Sequence, residues 1–291
     1  MDRSDRMAEV AEVARLFAVL PGVRAVALGG STATGRGDAA SDADLYVYAD
    51  APVDPDLRAA IILPRAVRAE IDNRFWEWGD EWEERVSGHR FDVMFRSPAW
   101  IEEQLARVLD RHEASIGYST CLWHNVLTCR PLEDGTGWLA GLKAQADQPY
   151  PDGLARAVIA KNHPLLRGTL SSFETQLLRA LERGDPVAAN HRAAALLASY
   201  FDVIFALNRQ PHPGEKRLLD AAASLPAIPV NLRRDVTTFL RATVTGEGAR
   251  EAVTALLEGL DAALAGRGEL PPAHGHHDGS VDHSGQCAPG A

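Results

Sequence analysis

At 291 residues, with 46% apolar and 24% charged residues, the chain has the composition of a folded globular protein with ample core, not of a disordered or fibrous one. Its net charge of −10 argues against a nucleic-acid partner, whose backbone needs Lys and Arg to neutralise it, and suits a small, cationic one better. Cys121, Cys129 and Cys287 show no C-x-x-C spacing, so neither a disulfide framework nor a zinc site is expected, which fits a reducing cytoplasm.

The opening MDRSDRMAEV carries acids and no apolar core, unlike a signal peptide, and no apolar run reaches the roughly 18 residues that would span a membrane. A cytoplasmic protein without membrane contact is expected. Residues 7–20 repeat apolar side chains at helical spacing up to a stop at Pro21-Gly22. VRAVALGG (23–30) reads as a buried strand ending in glycines, and DLYVYA (44–49) as a second strand. Residues 57–71 look helical but carry Pro64. RFDVMFR (90–96) alternates as a third strand, and Ser97-Pro98 opens an amphipathic helix over 99–111.

From residue 114 onward no strand is predicted. Helices are expected within 154–182, over 187–209 (apolar almost all round, as in the centre of a bundle), and near 214–224, 229–244 and 249–265. The predicted fold class is therefore α+β. A small mixed-sheet domain would occupy 1–130 and an all-helical bundle 131–265. The Gly-, Pro- and His-rich segment 266–291 is too poor in apolar residues to fold. His274, His276, His277 and His283 within it read as a disordered tail rather than a metal site.

The chemistry lies in ALGGSTATGRGDAASDADLYVY (27–48). Side chains at i and i+2 of a strand share a face, so Asp42 and Asp44 aim two carboxylates at one spot. Unpaired they repel, whereas Mg²⁺ favours one or two carboxylates together with phosphate oxygens. Asp92 lies between Phe91 and Val93 and needs a partner there. If the second and third strands pair, it completes a three-carboxylate cluster able to hold two metals. Gly29, Gly30 and Ser31 form the other half: glycines admit a phosphate close to backbone amides, and a serine at a helix start donates to it. Gly35, Arg36 and Gly37 continue the loop. Either half alone is a common turn; their order and spacing, with Asp92 beyond, point to a site.

Gly-Gly-Ser, a short spacer, Ser41-Asp42-Ala43-Asp44-Leu45 and a later strand aspartate together resemble the DNA polymerase β-like nucleotidyltransferase superfamily. The resemblance implies a mixed sheet flanked by helices, two Mg²⁺ ions, and transfer of a nucleoside monophosphate from an NTP, ATP foremost, with release of pyrophosphate. Gly30 and Ser31 would then grip the triphosphate, and Asp42, Asp44 and Asp92 would ligate metal. NRQPHPGEKRLL (208–219) resembles a segment of bacterial nucleotidyltransferase-domain proteins whose helical domain follows the catalytic one. Their architecture is similar to that of the aminoglycoside and lincosamide nucleotidyltransferases.

In that segment a helix starting at Gly214 would present Lys216 and Arg217, with Lys216 read as either a phosphate contact or a solvated charge. FWEWGDEW (75–82) sets Phe75, Trp76, Trp78 and Trp82 among Glu77, Asp80 and Glu81. The aromatics would be core anchors or walls of an acceptor cleft, and any of the three acids is a candidate general base for the acceptor hydroxyl. His89 and His163 read as structural. The expected partners are an NTP and a small molecule bearing a hydroxyl, an antibiotic foremost. The rival reading is an antitoxin that binds or modifies a toxin, against which the long helical half argues.

Overall fold

The computed structural model describes residues 3–33, 42–75 and 77–272. α1 (Arg3–Ala18) buries Val10, Val13, Ala14 and Phe17, which recur on one helical face. β1 (Val23–Leu28), the short helical turn α2 (Gly30–Ala33) and β2 (Ala43–Ala49) follow. α3 (Pro55–Ile62) starts at Asp54, whose carboxylate accepts the Asp56 amide. It ends two residues before Pro64, which lacks the amide a helix needs and disfavours helix in the residue ahead of it. The rest of the stretch predicted as helix is β3 (Ala66–Asn73), paired antiparallel with β4 (Gly79–Glu84).

β5 (Arg90–Arg96) leads into α4 (Pro98–Leu109), where Ser97 caps the Trp100 amide and Pro98 occupies the first turn. α5 (Cys121–Thr128) and β6 (Arg130–Glu133) come next, then α6 (Trp138–Ala146) and α7 (Asp152–His163). A π-helical turn (Pro164–Gly168) extends α7. The chain continues through α8 (Phe173–Glu182), α9 (Pro186–Leu207), α10 (Leu218–Ala223), α11 (Leu232–Thr245) and α12 (Ala249–Ala265).

Six strands form one mixed sheet in the order β3-β4-β5-β2-β1-β6, with β2 and β5 parallel and the other neighbours antiparallel. β6 corrects the expectation that no strand follows residue 114. It is four residues long and proline-bearing, too short to show alternation, and it pairs with β1 through Val26↔Glu133 and Leu28↔Arg130. The Lys143 ammonium fastens the chain just ahead of it, donating to the carbonyls of Val126, Leu127 and Cys129 at 2.7–2.8 Å.

β1, β2 and β5 show their alternate residues to different cores. Val26, Leu28, Ala43, Leu45, Val47, Phe91, Val93 and Phe95 pack against α1 and α3. Ala25, Ala27, Tyr46 and Tyr48 face the other way, into a core that continues without a break through α4, α5 and α6 to α7, α9 and α12. The helical half is thus laid directly against the second face of the sheet. α9 is buried all round over residues 199–207, as expected for a central helix, while its first half buries one side through Ala189, Ala193 and Leu196.

Two further expectations change. α10 begins at Leu218 rather than Gly214, because Arg217 at φ 54° is left-handed and cannot continue a helix. Residues 266–272 hold to the helical part, with Glu269 paired to Arg209 at 2.5 Å. The rest of the predicted tail, with its four histidines, lies outside the described residues. No helix among the described residues is long and apolar enough to cross a membrane.

Candidate active site

The start of the connection after β1, Gly29 to Thr32, is built around the start of β2 and its Asp44. The Gly29 amide donates to the Asp44 carbonyl at 2.7 Å, and a Cβ at Gly29 would sit 2.5 Å from the Tyr46 ring. Gly30 adopts φ +60°, and a Cβ there would lie 1.7 Å from Oδ2 of Asp44. The backbone therefore rests against the carboxylate at a place only glycine can occupy. The Thr32 hydroxyl donates to the Asp42 carbonyl at 3.2 Å, tying α2 to the start of β2. Gly35, Arg36, Gly37 and Ser41 lie outside the described residues, as does the side chain of Ser31. Gly29 was expected to offer its amide to phosphate. That amide is engaged within the turn.

Gly30→Ala is expected to lose transfer by more than about tenfold while the protein still folds. The left-handed conformation alone costs about 1 kcal/mol, and the new methyl must also displace the Asp44 carboxylate. Wild-type turnover in a folded Gly30→Ala protein would show that this contact does not matter.

Asp44 stands opposite Asp92 in the parallel β2–β5 pair, and Asp92 stands opposite Glu81 in the antiparallel β4–β5 pair. Glu70 continues the row opposite Glu81, and Asn73 Nδ2 donates to Glu81 at 3.1 Å. Residues in register share a face, so four carboxylates line one edge of the sheet, with Asp42 two residues ahead of Asp44. A cavity of about 480 Å³ opens here, lined by Asp42, Glu70, Glu81 and Asp92, with Arg68 and Arg90 among its other walls.

The charges act on one another. Burial raises the Asp44 carboxyl above the usual carboxylate range; the Lys216 ammonium lowers it in part, and Asp42 raises it further. Asp92 is pushed up to about 6, by burial first and then by Glu81, Asp44, Asp42 and Glu77. Its folded value lies above the unfolded one near 3.9, so its contribution to stability is full below about pH 4 and lost as pH rises through about 6. In cation-free buffer the wild-type Tm should fall relative to that of Asp92→Asn between about pH 4 and 7. Parallel melting curves for the two proteins would refute this.

The other predicted acids go elsewhere. Glu77 receives both Arg96 Nε and Nη2 at 2.9 Å, and the Arg96 guanidinium lies 4.0 Å from the centre of the Tyr46 ring. Asp80 pairs with Val93 and so points to the opposite face. It is fully buried there, accepting from Arg58 Nη1 at 2.6 Å and from the Asp72 amide at 2.9 Å. Asp80 therefore cannot reach the acid edge, and of the three candidates for a base only Glu81 lies on it.

Of the aromatics, Trp82 belongs to the core and also lines the cavity, beside Phe91. Trp82 stacks on Phe91 with ring centres 4.8 Å apart and Trp78 packs on Phe95 at 5.4 Å, both in the core under α1 and α3. Phe75 is exposed, and Trp76 is outside the described residues. His89 and His163 have structural partners as expected, Glu9 at 3.3 Å and Asp261 at 2.7 Å. Arg96 was missed. Positions 92, 94 and 96 of one strand share a face, and that parity was the available signal.

Asp42, Asp44 and Asp92 are hard oxygen donors of the kind a divalent cation takes, and in-register neighbours on adjacent strands lie about 5 Å apart. The donor chemistry fits such an ion. Among the described residues, no three His, Cys, Asp or Glu side chains are yet drawn together at ligating distance.

In this mixed sheet a glycine turn is pressed on one of two in-register aspartates. Residues 10–114 match the nucleotidyltransferase domain, and residues 122–218 match a domain of unknown function, DUF4037. The chain is accordingly a nucleotidyltransferase. Such domains move a nucleoside monophosphate from an NTP and generally use a divalent metal. The structure is also similar to that of a nucleotidyltransferase-like protein from Exiguobacterium sibiricum 255-15, at 13% identity and a TM-score of 0.42. The alignment covers 89% of this chain and 75% of that one. No curated protein matches the sequence.

Proposed function

We propose that this enzyme transfers AMP from ATP to a hydroxyl of a small, cationic molecule, releasing pyrophosphate, and that an antibiotic of the aminoglycoside or lincosamide kind is the leading acceptor. The carrying observation is the Asp44 carboxylate, seated under Gly30 and in register with Asp92. Asp42, Asp44 and Asp92 would hold Mg²⁺, as two ions, which when bound would offset their repulsion and take phosphate oxygens as further ligands. The Gly30 and Ser31 amides and the Ser31 hydroxyl would receive the β- and γ-phosphates. Lys216, near enough to Asp44 to lower its carboxyl pKa, would add a positive charge to the triphosphate tail.

Glu81 is the favoured base, since it lies beside Asp92 on the open edge, whereas Glu77 is held by Arg96 and Asp80 is buried on the far face. It would accept the proton of the acceptor hydroxyl as that oxygen attacks the α-phosphorus and the bond to pyrophosphate breaks. Acids outnumber bases around the cavity, which favours an acceptor bearing amino groups.

The test is pyrophosphate release from each of the four NTPs with Mg²⁺ against a panel of hydroxyl-bearing antibiotics and amino alcohols. Mass spectrometry of the acceptor would accompany it, with Asp44→Asn as blank. A mass gain of one AMP unit on a cationic acceptor is expected. An adduct only on neutral or anionic acceptors would overturn the acceptor class, and no adduct on any would overturn the small-molecule reading.

A further inference from the structure

The loop Asn208–Arg217 between α9 and α10 is anchored along its length. The Asn208 side-chain amide donates to the carbonyls of Ile204 and Ala227 and accepts the Ala227 amide, all within 2.8 Å. Arg209, left-handed at φ 53°, reaches Asp152 at 2.9 Å and Glu269 at 2.5 Å. His212 is fully buried. Its backbone amide donates to the Thr120 hydroxyl at 2.8 Å, and its Nδ1 accepts the Gly214 amide at 3.1 Å, with Cys121 Sγ at 3.3 Å. The rings of Tyr118 and Phe205 close over it at 5.0 and 4.9 Å.

Accepting at Nδ1 puts the ring proton on Nε2, which is buried with no hydrogen-bond partner. Burial pushes the ring down to about 4, with His124 adding to the effect, so it is neutral at pH 7. A leucine would fill this place without stranding a donor, but it would not hold the Gly214 amide. That bond sets the turn which brings the chain to Lys216 two residues on. Lys216 is itself exposed and lies within electrostatic range of Asp44.

We propose that His212 is a positioning residue for nucleotide binding: anchored between the start of α5 and Gly214, it presets the loop so that Lys216 meets the triphosphate over Asp44. This rests on the triphosphate reading of the acid edge. It adds that the helical half supplies a fixed arm to the site, not a mobile charge.

Calorimetric affinities for ATP, AMP and adenosine with Mg²⁺ decide it, in wild type, Lys216→Ala, His212→Leu, His212→Asn and the double variant Lys216→Ala/His212→Leu. His212→Leu should weaken ATP roughly tenfold and adenosine less than about twofold, as should Lys216→Ala, and the double variant should bind ATP no worse than Lys216→Ala alone. Asparagine retains an acceptor for the Gly214 amide, so His212→Asn should recover most of the loss. Should His212→Leu not fold, Thr120→Val removes the other anchor and should give the same selectivity at about threefold.

Independent, multiplying losses in the double variant, or equal losses for ATP and adenosine, would show a merely structural histidine. ATP binding that depends on Asp44 but is unchanged in His212→Leu would overturn the positioning role and leave the site reading standing. A folded wild type that does not bind ATP with Mg²⁺ would overturn both.

Discussion

Asp44→Asn is expected to lower nucleotidyl transfer by about 10³-fold or more while raising the Tm of the cation-free protein. A metal clamp on a transferring phosphoryl group is worth several kcal/mol, and each 1.4 kcal/mol or so is tenfold in rate. Asparagine keeps the shape that fits beneath Gly30 but removes the charge that binds the cation. In the folded state the Asp44 carboxyl is raised, by burial above all, so its ionised form at pH 7 opposes folding and its neutral replacement does not. Pyrophosphate release and thermal melting in chelator read the two effects separately. A rate near wild type would remove Asp44 from the mechanism, and a lower Tm would show that its charge is compensated within the fold.

Arg58→Met should destabilise the protein by about 3–5 kcal/mol, the usual result of stranding one member of a buried ion pair. Both Arg58 and Asp80 are fully buried. The guanidinium bridges Asp80 and Asp72 at 2.6 and 2.9 Å while lying 4.6 Å from the centre of the Phe95 ring. Losing it leaves the Asp80 carboxylate under α3 with only the Asp72 amide. The double variant Arg58→Met/Asp80→Leu should recover most of the loss, because two apolar groups of similar volume need no desolvated partner. Denaturant unfolding of the three proteins measures this, and a single variant as stable as wild type would refute it. Transfer by a folded Asp80→Asn variant should stay within about twofold of wild type, since the group touches nothing on the acid edge.

The elements with a strong local signal were legible in the sequence. α12 is predicted and found over 249–265, and α4 shows its start through Ser97 and Pro98. β5 stands out by alternation and β2 as an apolar run, and the pairing that aligns Asp44 with Asp92 is the one the candidate cluster required. The β3–β4 hairpin was not legible. In β3, Val67, Ala69 and Ile71 do alternate with Arg68, Glu70 and Asp72, but the helical reading of 57–71 ran over them; β4, GDEWEE, carries acids at adjacent positions and shows no two-residue period.

For the same reason the three acids of the FWEWGDEW stretch could not be told apart. Asp80 and Glu81 differ by one residue, which in a strand means opposite faces, and without the strand there is no parity to read. The approach of Lys216 to Asp44 spans 172 positions and depends on how the helical half lies against the sheet, which no local pattern encodes.

β6 carries a consequence for where the enzyme can be cut. The stretch matching the nucleotidyltransferase domain stops at residue 114, yet β1 lies inside the sheet only because residues 130–133 return to cover its outer side. A chain ended at residue 114 would leave the amides and carbonyls of an apolar strand, VRAVAL, open to the next molecule, the template from which edge-to-edge aggregation grows. The glycine turn that cradles Asp44 hangs from the end of that same strand, so a frayed β1 loosens the site as well as the fold. The smallest piece able to keep its acid edge in shape therefore reaches into the helical half, and the two halves are to be engineered as one body.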